Sequence, residues 1–180
     1  GIISRHRVGL CSGRDLRKAL EAVLGAQRSA ILRGAGALAR FRGVGLCLVG
    51  GVVRDLLLGM RSADLDLVVE GDGIAFAEGL ARSLGARLIR HEMFGTAAVV
   101  LDPDSAPPHA GLRIDVASAR SETYEHAASL PRVAPGSLLD DLLRRDVTIN
   151  SMAVRLEGAR YGSLIDEMGG ERDLRRRVLR

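Results

Sequence analysis

The sequence is 180 residues long, which suits one domain or one domain with an appendage. Its 47% apolar and 27% charged residues are ordinary for a globular protein, and its 3% aromatic content argues against a stacking platform for single-stranded nucleic acid. The net charge is +4, the two cysteines are too few for a disulfide framework, and no segment approaches the ~20 apolar residues of a membrane span. These features predict a reduced, cytoplasmic protein with no membrane partner.

Charge is distributed unevenly along the chain. Residues 1–42 hold nine basic and two acidic side chains, a net charge of +7, whereas residues 43–180 hold seventeen basic and twenty acidic ones, a net charge of −3. A basic arm of this kind can bind a polyanion, although a solvated helix face is the alternative explanation. We therefore divide the chain into a basic helical extension or linker, 1–43, and a second unit, 44–180.

The first predicted elements lie in the basic segment. Apolar residues recur at helical spacing over residues 14–42, with arginines between them. Gly34 and Gly36 interrupt this pattern, so we expect two helices rather than one.

After Gly45 the sequence changes to short apolar runs separated by glycines. These runs predict strands at 45–50, 64–70, 86–90, 96–102 and 112–118, and helices at 52–59 and 72–85, with Asp72 as an N-cap. The polar, proline-containing segment 119–136 predicts an ordered loop. Ser137 is expected to cap another helix, and a Gly-Gly pair at 169–170 precedes an arginine-rich one. The predicted fold class is α/β, of the α+β type, with a mixed sheet and helices packed on it.

Two acidic residues stand one residue apart in the apolar run 64–70. Because side chains at positions i and i+2 of a strand point to the same face, Asp64 and Asp66 should project together. Two unpaired carboxylates on one face repel each other, and a cation between them removes that cost. Oxygen ligands that leave positions open suit Mg²⁺. The alternative is that Asp64 lies at the solvent end of the strand and Asp66 meets an arginine.

A glycine turn lies just upstream of this pair. Gly50 and Gly51 end one strand and open a helix, where a phosphate can approach the backbone N–H groups and the positive end of the helix dipole. Arg54, one turn into the helix, can add a charge-assisted hydrogen bond. Alone, a Gly-Gly pair before a helix is only a turn. Beside two carboxylates it predicts half of a nucleoside triphosphate site.

Asp115 is the third candidate acid. Ile114 and Val116 flank it, so its side chain should point away from the apolar face of its strand. If that strand neighbours 64–70, Asp115 can join the metal pair or accept a proton from an attacking hydroxyl. An edge-strand aspartate paired with Arg113 or Arg120 is an equally good explanation.

Several motifs together resemble a known family. The segment "LVGGVVRDLLLG…DLDLVV" and "RRDVTINSMA" at 144–153 resemble the head domain of class II tRNA nucleotidyltransferases and bacterial poly(A) polymerases, which belong to the polymerase-beta-like nucleotidyltransferase superfamily. The resemblance covers roughly residues 46–178 and includes "FGTA" at 94–97, "IDVASARSETYEH" at 114–126 and "LIDEMGGERDL" at 164–174. Residues 68–81 look most like the subgroup whose long chains also carry CBS and DHH-type modules.

The resemblance implies a polymerase-beta-like nucleotidyltransferase fold with an N-terminal helical extension, and a role for each matching residue. The implied roles are phosphate binding by Gly50, Gly51 and Arg54, metal binding by Asp64 and Asp66, and recognition of the ribose by Arg145, Asp146 and Asn150. Physical chemistry agrees for two of them, because Asp146 can accept a hydrogen bond from a 2′-OH and Arg145 can donate to a nucleotide or phosphate.

The function that the resemblance implies is template-independent addition of CMP, AMP or both from CTP and ATP to a tRNA 3′ end, with two Mg²⁺ ions. The alternatives are a bacterial poly(A) polymerase and a non-catalytic module that binds nucleotide or RNA. In the family a helical neck with a base-selecting motif, a body and a tail follow the head. Since this chain stops at Arg180, we expect it to bind nucleotide weakly and without base choice when isolated.

Overall fold

The computed structural model describes residues 14–62, 64–102, 111–123 and 132–180. Its elements follow the predicted order as far as residue 118, whereas the sequence pattern did not predict the strands after that residue. The helices are α1 (Arg17–Arg42), α2 (Gly51–Leu58), α3 (Gly73–Leu84), α4 (Leu138–Leu143) and α5 (Gly170–Arg176). The strands are β1 (Gly45–Val49), β2 (Leu65–Glu70), β3 (Arg87–His91), β4 (Thr96–Val100), β5 (Arg113–Ser118), β6 (Arg120–Thr123), β7 (Arg132–Pro135), β8 (Ala153–Arg155) and β9 (Leu164–Ile165). The predicted mixed α/β class is confirmed.

One mixed sheet organises the fold, with the strand order β3-β4-β5-β2-β1-β8-β9. Strands β2 and β5 are parallel, and the other neighbouring pairs in this sheet are antiparallel. Strand β1 runs antiparallel to β2, with Leu48 opposite Leu67. The end of β1, where the glycine turn begins, therefore lies beside the start of β2, where the acidic pair is placed.

The two faces of the sheet bury different side chains. Leu65, Leu67 and Val69 point to a large core that they share with residues of α1, α2 and α3. Val68 points to the opposite face, where it packs with Leu138 and Leu142 of α4 in a second, smaller core. The alternation of a strand therefore puts Asp66 on the face that α4 covers.

Helix α1 differs from the prediction in where it bends. It runs from Arg17 to Arg42 with non-helical backbone angles at Gly25 (φ 80°, ψ 165°), so the expected break at Gly34 and Gly36 is wrong. A Cβ atom on Gly36 would overlap the carbonyl oxygen of Leu156. This glycine serves the close approach of the helix to its neighbour, which the sequence pattern does not distinguish from a helix break.

The segment 119–136 was expected to be a loop, and within its described residues this prediction is wrong. Strands β6 and β7 form a separate antiparallel pair in which Ser121 lies opposite Ala134, and residues 124–131 lie outside the described part of the chain. This strand pair is tied to the main sheet by a hydrogen bond from Ala119 N–H to the carbonyl of Val69 in β2. The sequence did not predict β6 and β7 because their pairing depends on tertiary contacts rather than on an alternation of apolar residues.

The capping predictions hold. The side chain of Asp72 accepts a hydrogen bond from Ala75 N–H at the start of α3, and Ser137 begins α4 with a capping box that Asp140 completes.

The N-terminal helix packs on the sheet. Leu20, Leu32 and Ala39 of α1 are buried in the same core as the strands. Just before α1, Leu16 N–H donates to the carbonyl of Gly162, next to β9. The division at residue 43 stays a prediction. None of the helices that the structure describes is both long and apolar enough to cross a membrane.

Candidate active site

The acidic residues of two strands meet on one face of the sheet. Strands β2 and β5 pair in parallel with Asp66 directly opposite Asp115, and Asp64 lies immediately before β2. The condition under which Asp115 can act with the acidic pair, that its strand neighbours residues 64–70, is therefore met. Strand β5 lies between β4 and β2, so the interpretation of Asp115 as an edge-strand residue is wrong.

Asp66 carries most of the electrostatic cost of this arrangement. Burial raises the pKa of its carboxyl, and the neighbouring charges of Asp115 and Asp64 raise it further, while Arg145 and Arg113 act in the opposite direction. Asp66 is half-buried, whereas Asp64 is exposed. The face thus holds more negative charge than its arginines balance.

Asp115 has an arginine partner on its own strand. The guanidinium of Arg113 donates to its carboxylate from Nη2 at 2.7 Å and from Nε at 2.9 Å. Both side chains are about half exposed, and the pKa of Arg113 is raised, chiefly by this hydrogen bond. The alternative explanation of Asp115 as the partner of Arg113 is therefore correct. Asp115 makes this ion pair while it also lies opposite Asp66.

Gly50 lies between Asp66 of the acidic face and Arg145, which follows α4. Gly50 has a positive φ of 79° and precedes the first residue of α2. A Cβ atom on Gly50 would lie 3.4 Å from Nη1 of Arg145 and 3.6 Å from Oδ2 of Asp66. A side chain here would enter the space between the acid and the arginine, so glycine is needed both for the backbone angle and for this opening.

Arg54 lies over the turn, and its predicted role in phosphate binding stays a prediction. Its Nη2 is 3.4 Å from the position of a Cβ atom on Gly51, and its Nη1 donates to Oδ1 of Asn150 at 3.2 Å. Its Nη2 also donates to Oδ1 of Asp55 at 2.8 Å. Two predicted residues, Arg54 and Asn150, are thus in direct contact although 96 positions separate them in the sequence.

Two residues outside the predicted set fix α4 against this face. The carboxylate of Glu70, at the end of β2, accepts a hydrogen bond of 2.8 Å from Leu138 N–H at the start of α4. Asp141, whose side chain is fully buried, accepts from Nη2 of Arg145 at 2.9 Å and from Nη2 of Arg144 at 2.6 Å. The signal in the sequence is the spacing of Asp141 three and four residues before the arginines, a spacing that pairs side chains on a helix.

Asp146 stands apart from the other candidates. It is exposed, and it makes no hydrogen bond or ion pair with the residues that the structure describes. Strand register, electrostatic interaction and close approach connect five of the nine predicted site residues, which are Gly50, Asp64, Asp66, Asp115 and Arg145. Gly51, Arg54 and Asn150 form a second group, which meets the first at the Gly50–Gly51 bond, and Asp146 follows Arg145 in the chain.

The family is decided by a match over most of the chain. Residues 46–180 match the poly A polymerase head domain. The chain belongs to this family.

The head domain is similar to enzymes of known activity. It is 51% identical over 132 residues to the A-adding tRNA nucleotidyltransferase of Geobacter sulfurreducens, a match that covers 73% of this chain and 14% of that protein. It is 43% identical over 135 residues to the CC-adding tRNA nucleotidyltransferase of Deinococcus radiodurans, which covers 75% of this chain and 34% of that protein. The chain therefore spans at most about a third of the length of these two relatives.

Solved structures agree with the fold. The Thermotoga maritima CCA-adding enzyme complexed with tRNA superimposes on the head domain with a TM-score of 0.78 at 37% identity, over 94% of this chain and 36% of that one. The resemblance deduced from the motifs is confirmed at the level of the family. The assignment to the subgroup with CBS and DHH-type modules stays a prediction.

Nucleotidyltransferases generally use divalent metal ions, and the donors of this head domain fit such an ion. Within residues 14–62, 64–102, 111–123 and 132–180, no group of three or more His, Cys, Asp and Glu side chains is arranged to hold a metal. A hard cation such as Mg²⁺ needs only one or two carboxylates when phosphates supply further oxygens. Burial and the charges of Asp115 and Asp64 raise the pKa of Asp66, so a cation bound beside this carboxylate would lower its electrostatic energy.

Proposed function

We propose that the head domain transfers CMP, AMP or both from CTP and ATP to the 3′ end of a tRNA, as part of a longer enzyme. The observation that carries this proposal is the convergence of Asp66, Arg145 and Gly50 around one opening on the acidic face. The relatives with the printed activities of A addition and CC addition to tRNA support the reaction class.

In the proposed reaction the primer 3′ oxygen attacks the α-phosphorus, and the bond from this phosphorus to its bridging oxygen breaks as pyrophosphate leaves. Asp64 and Asp66 would hold Mg²⁺, which, when bound, lowers the cost of charge on the attacking and leaving oxygens. Asp115, which lies opposite Asp66, would accept the proton of the 3′ hydroxyl.

The nucleotide is bound from the other side of the opening. Backbone N–H groups at Gly50 and Gly51 face the phosphates at the start of α2, and Arg54 adds a positive charge over the turn. Arg145 donates to the nucleotide, and the free carboxylate of Asp146 accepts a hydrogen bond from the 2′-OH. Asn150 orients Arg54 through its side-chain oxygen.

We do not assign the choice between CTP and ATP to the head domain. Relatives with heads that are 51% and 43% identical to this one add A and CC, respectively. We therefore assign the choice between CCA, CC, A and poly(A) addition to chain segments beyond residue 180. The free, buried thiol of Cys47 is consistent with the cytoplasmic setting that we propose.

The test uses the longest natural form of the protein with a tRNA that lacks its CCA end. Asp66→Asn is expected to reduce incorporation of labelled ATP and CTP by about 10³-fold or more, because metal stabilisation of the transition state is worth several kcal/mol. Glu92→Gln, which neutralises an exposed carboxylate on the turn between β3 and β4, serves as the matched control and should retain full activity.

Undiminished addition by the Asp66→Asn variant would refute the mechanism. A wild-type protein that binds ATP and RNA but adds no nucleotide with Mg²⁺ present would favour the non-catalytic module. Processive addition of AMP to RNAs without a tRNA fold would favour the poly(A) polymerase.

A further inference from the structure

Asp141 is a buried acid that binds two consecutive arginines. Its side chain has no exposed area, and each of its oxygens takes one partner, Oδ1 from Arg144 and Oδ2 from Arg145. Burying a carboxylate is costly unless it is paired and hydrogen-bonded, and here both oxygens are used. The short helix α4, of six residues, therefore contains a buried carboxylate that is paired with the two arginines following the helix.

Arg145 lies next to the acidic face and yet is not paired with it. Its Nη1 and Oδ2 of Asp66 both approach the position of a Cβ atom on Gly50, at 3.4 and 3.6 Å. Among the described residues, the ion pair of Arg145 is with Asp141, and none joins it to Asp66. The charge of Arg145 acts on Asp66, since it acts to lower the pKa of that carboxyl against the effect of burial, while the ion pair of Arg145 is made elsewhere.

We propose that Asp141 is a positioning residue, which holds the guanidinium of Arg145 at the edge of the site and so keeps Asp66 from being neutralised by it. The inference rests on the proposed function, because it assumes that Asp66 is a metal ligand. With Asp141 in place, the carboxylate of Asp66 remains available to a divalent cation and Nη1 of Arg145 remains available to the nucleotide.

The two arginines depend on Asp141 to different degrees. Arg144 has a second anchor, because its Nη1 donates to Oε1 of Glu122 in β6 at 3.4 Å. Arg145 has no second ion pair within the described parts of the chain, and its Nε is buried with no hydrogen-bond partner. Loss of the Asp141 charge should therefore release Arg145 much more than Arg144, and Asp66 is the acid within its reach.

This difference makes the proposal testable by metal binding without nucleotide. Mn²⁺ alone is titrated into the full natural chain, and bound ion is followed by electron paramagnetic resonance and by calorimetry. Asp141→Asn, which keeps the size of the side chain, is expected to weaken Mn²⁺ binding about fivefold, since a competing partly exposed ion pair is worth about 1 kcal/mol. Arg145→Met added to Asp141→Asn should restore the wild-type affinity.

Arg144→Met is the matched control and should bind Mn²⁺ as the wild type does. A role of Asp141 in folding alone predicts no rescue by Arg145→Met, so failure of the rescue overturns the proposal, as does wild-type affinity in Asp141→Asn. Asp141→Ser is the second variant. If Asp141→Asn and Asp141→Ser both lose the cooperative melting transition, Asp141 acts on folding, and the positioning role is overturned.

The same titration separates this inference from the proposed function. If Asp66→Asn binds Mn²⁺ as tightly as the wild type, Asp66 is not a metal ligand and the proposed function fails. If Asp66→Asn abolishes binding while Asp141→Asn leaves it unchanged, the proposed function stands and only the positioning role of Asp141 is refuted.

Discussion

Asp66 and Asp115 face each other in register on the two parallel strands at the centre of the sheet. Each comes from a strand whose neighbouring residues are buried in the large core, and both carboxylates are partly exposed on the opposite face. The charge of Asp115 is one reason that the pKa of Asp66 is raised, after burial itself. Burial and mutual repulsion of these two carboxylates thus lower the stability of the folded protein at the place where we propose that metal and triphosphate bind.

This cost predicts a gain in stability when Asp66 is neutralised. An aspartate in the unfolded chain ionises near pH 3.9, and folding raises the pKa of Asp66 above this value. The contribution of protonated Asp66 to the free energy of unfolding is therefore complete below the pKa of the unfolded chain. It is lost as pH rises through the pKa of the folded protein. In EDTA at pH 7, Asp66→Asn should raise Tm by about 1–3 °C. The difference should shrink towards zero below about pH 4.

The measurement is thermal unfolding followed by circular dichroism across this pH range. Asp146→Asn is the control, because this exposed carboxylate has no partner in the described structure and its loss should leave Tm unchanged. A lower Tm for Asp66→Asn at pH 7 would contradict the electrostatic account.

Asp115 is predicted to act in catalysis rather than in folding. Asp115→Asn should lower kcat for nucleotide addition by about 10²–10⁴-fold, the usual contribution of a general base, while KM for the nucleotide changes little. Single-turnover addition to tRNA measures this effect. Arg113→Gln removes the ion-pair partner and leaves the acid, so it should retain most of the activity. Equal losses in the two variants would show that the ion pair, rather than the acid, is what matters.

Asn150 is predicted to act on the nucleotide through Arg54. Because Arg54 Nη1 donates to its side-chain oxygen, Asn150→Ala should leave the guanidinium held by Asp55 alone and raise KM for ATP about fivefold. Arg54→Met should raise KM more, since it removes the charge. In the double variant the loss should equal that of Arg54→Met alone, and additive losses would indicate that Asn150 binds nucleotide independently.

Asp146 is predicted to distinguish ribose from deoxyribose. Its exposed carboxylate is free to accept the 2′-OH, so Asp146→Ala should lower kcat/KM for ATP about tenfold and leave that for dATP unchanged. Competition between ATP and dATP with the same tRNA measures the ratio. An equal fall for both nucleotides would place Asp146 on a group that the two share.

Cys47 is predicted to be unreactive in the folded protein. Burial raises the pKa of its thiol to about 12, and the nucleophile in alkylation is the thiolate. At pH 8 iodoacetamide should leave Cys47 unmodified, as read by mass spectrometry of its peptide, and should modify it fully in guanidinium chloride. Rapid labelling under native conditions would mean that β1 opens readily.

Much of the fold could be predicted from the sequence because its signals are local. Apolar runs, glycines and caps such as Asp72 and Ser137 act within a few residues, and the structure confirms them. The helix bend at Gly25 and the β6–β7 pair could not be predicted in this way. Glycine signals a bend or a close approach equally well, and the pairing of two polar strands depends on what packs against them.

The sequence by itself determined which residue types are available for the site, and the strand period predicts that Asp64 and Asp66 share one face. Only the tertiary structure decided that Asp115 lies opposite Asp66, that Arg54 meets Asn150, and that Arg145 approaches Asp66 beside Gly50. The physical reason is separation along the chain. Hydrogen bonds and charge interactions act over a few ångströms, and strand order, which brings distant segments within that range, is fixed by the packing of the whole sheet.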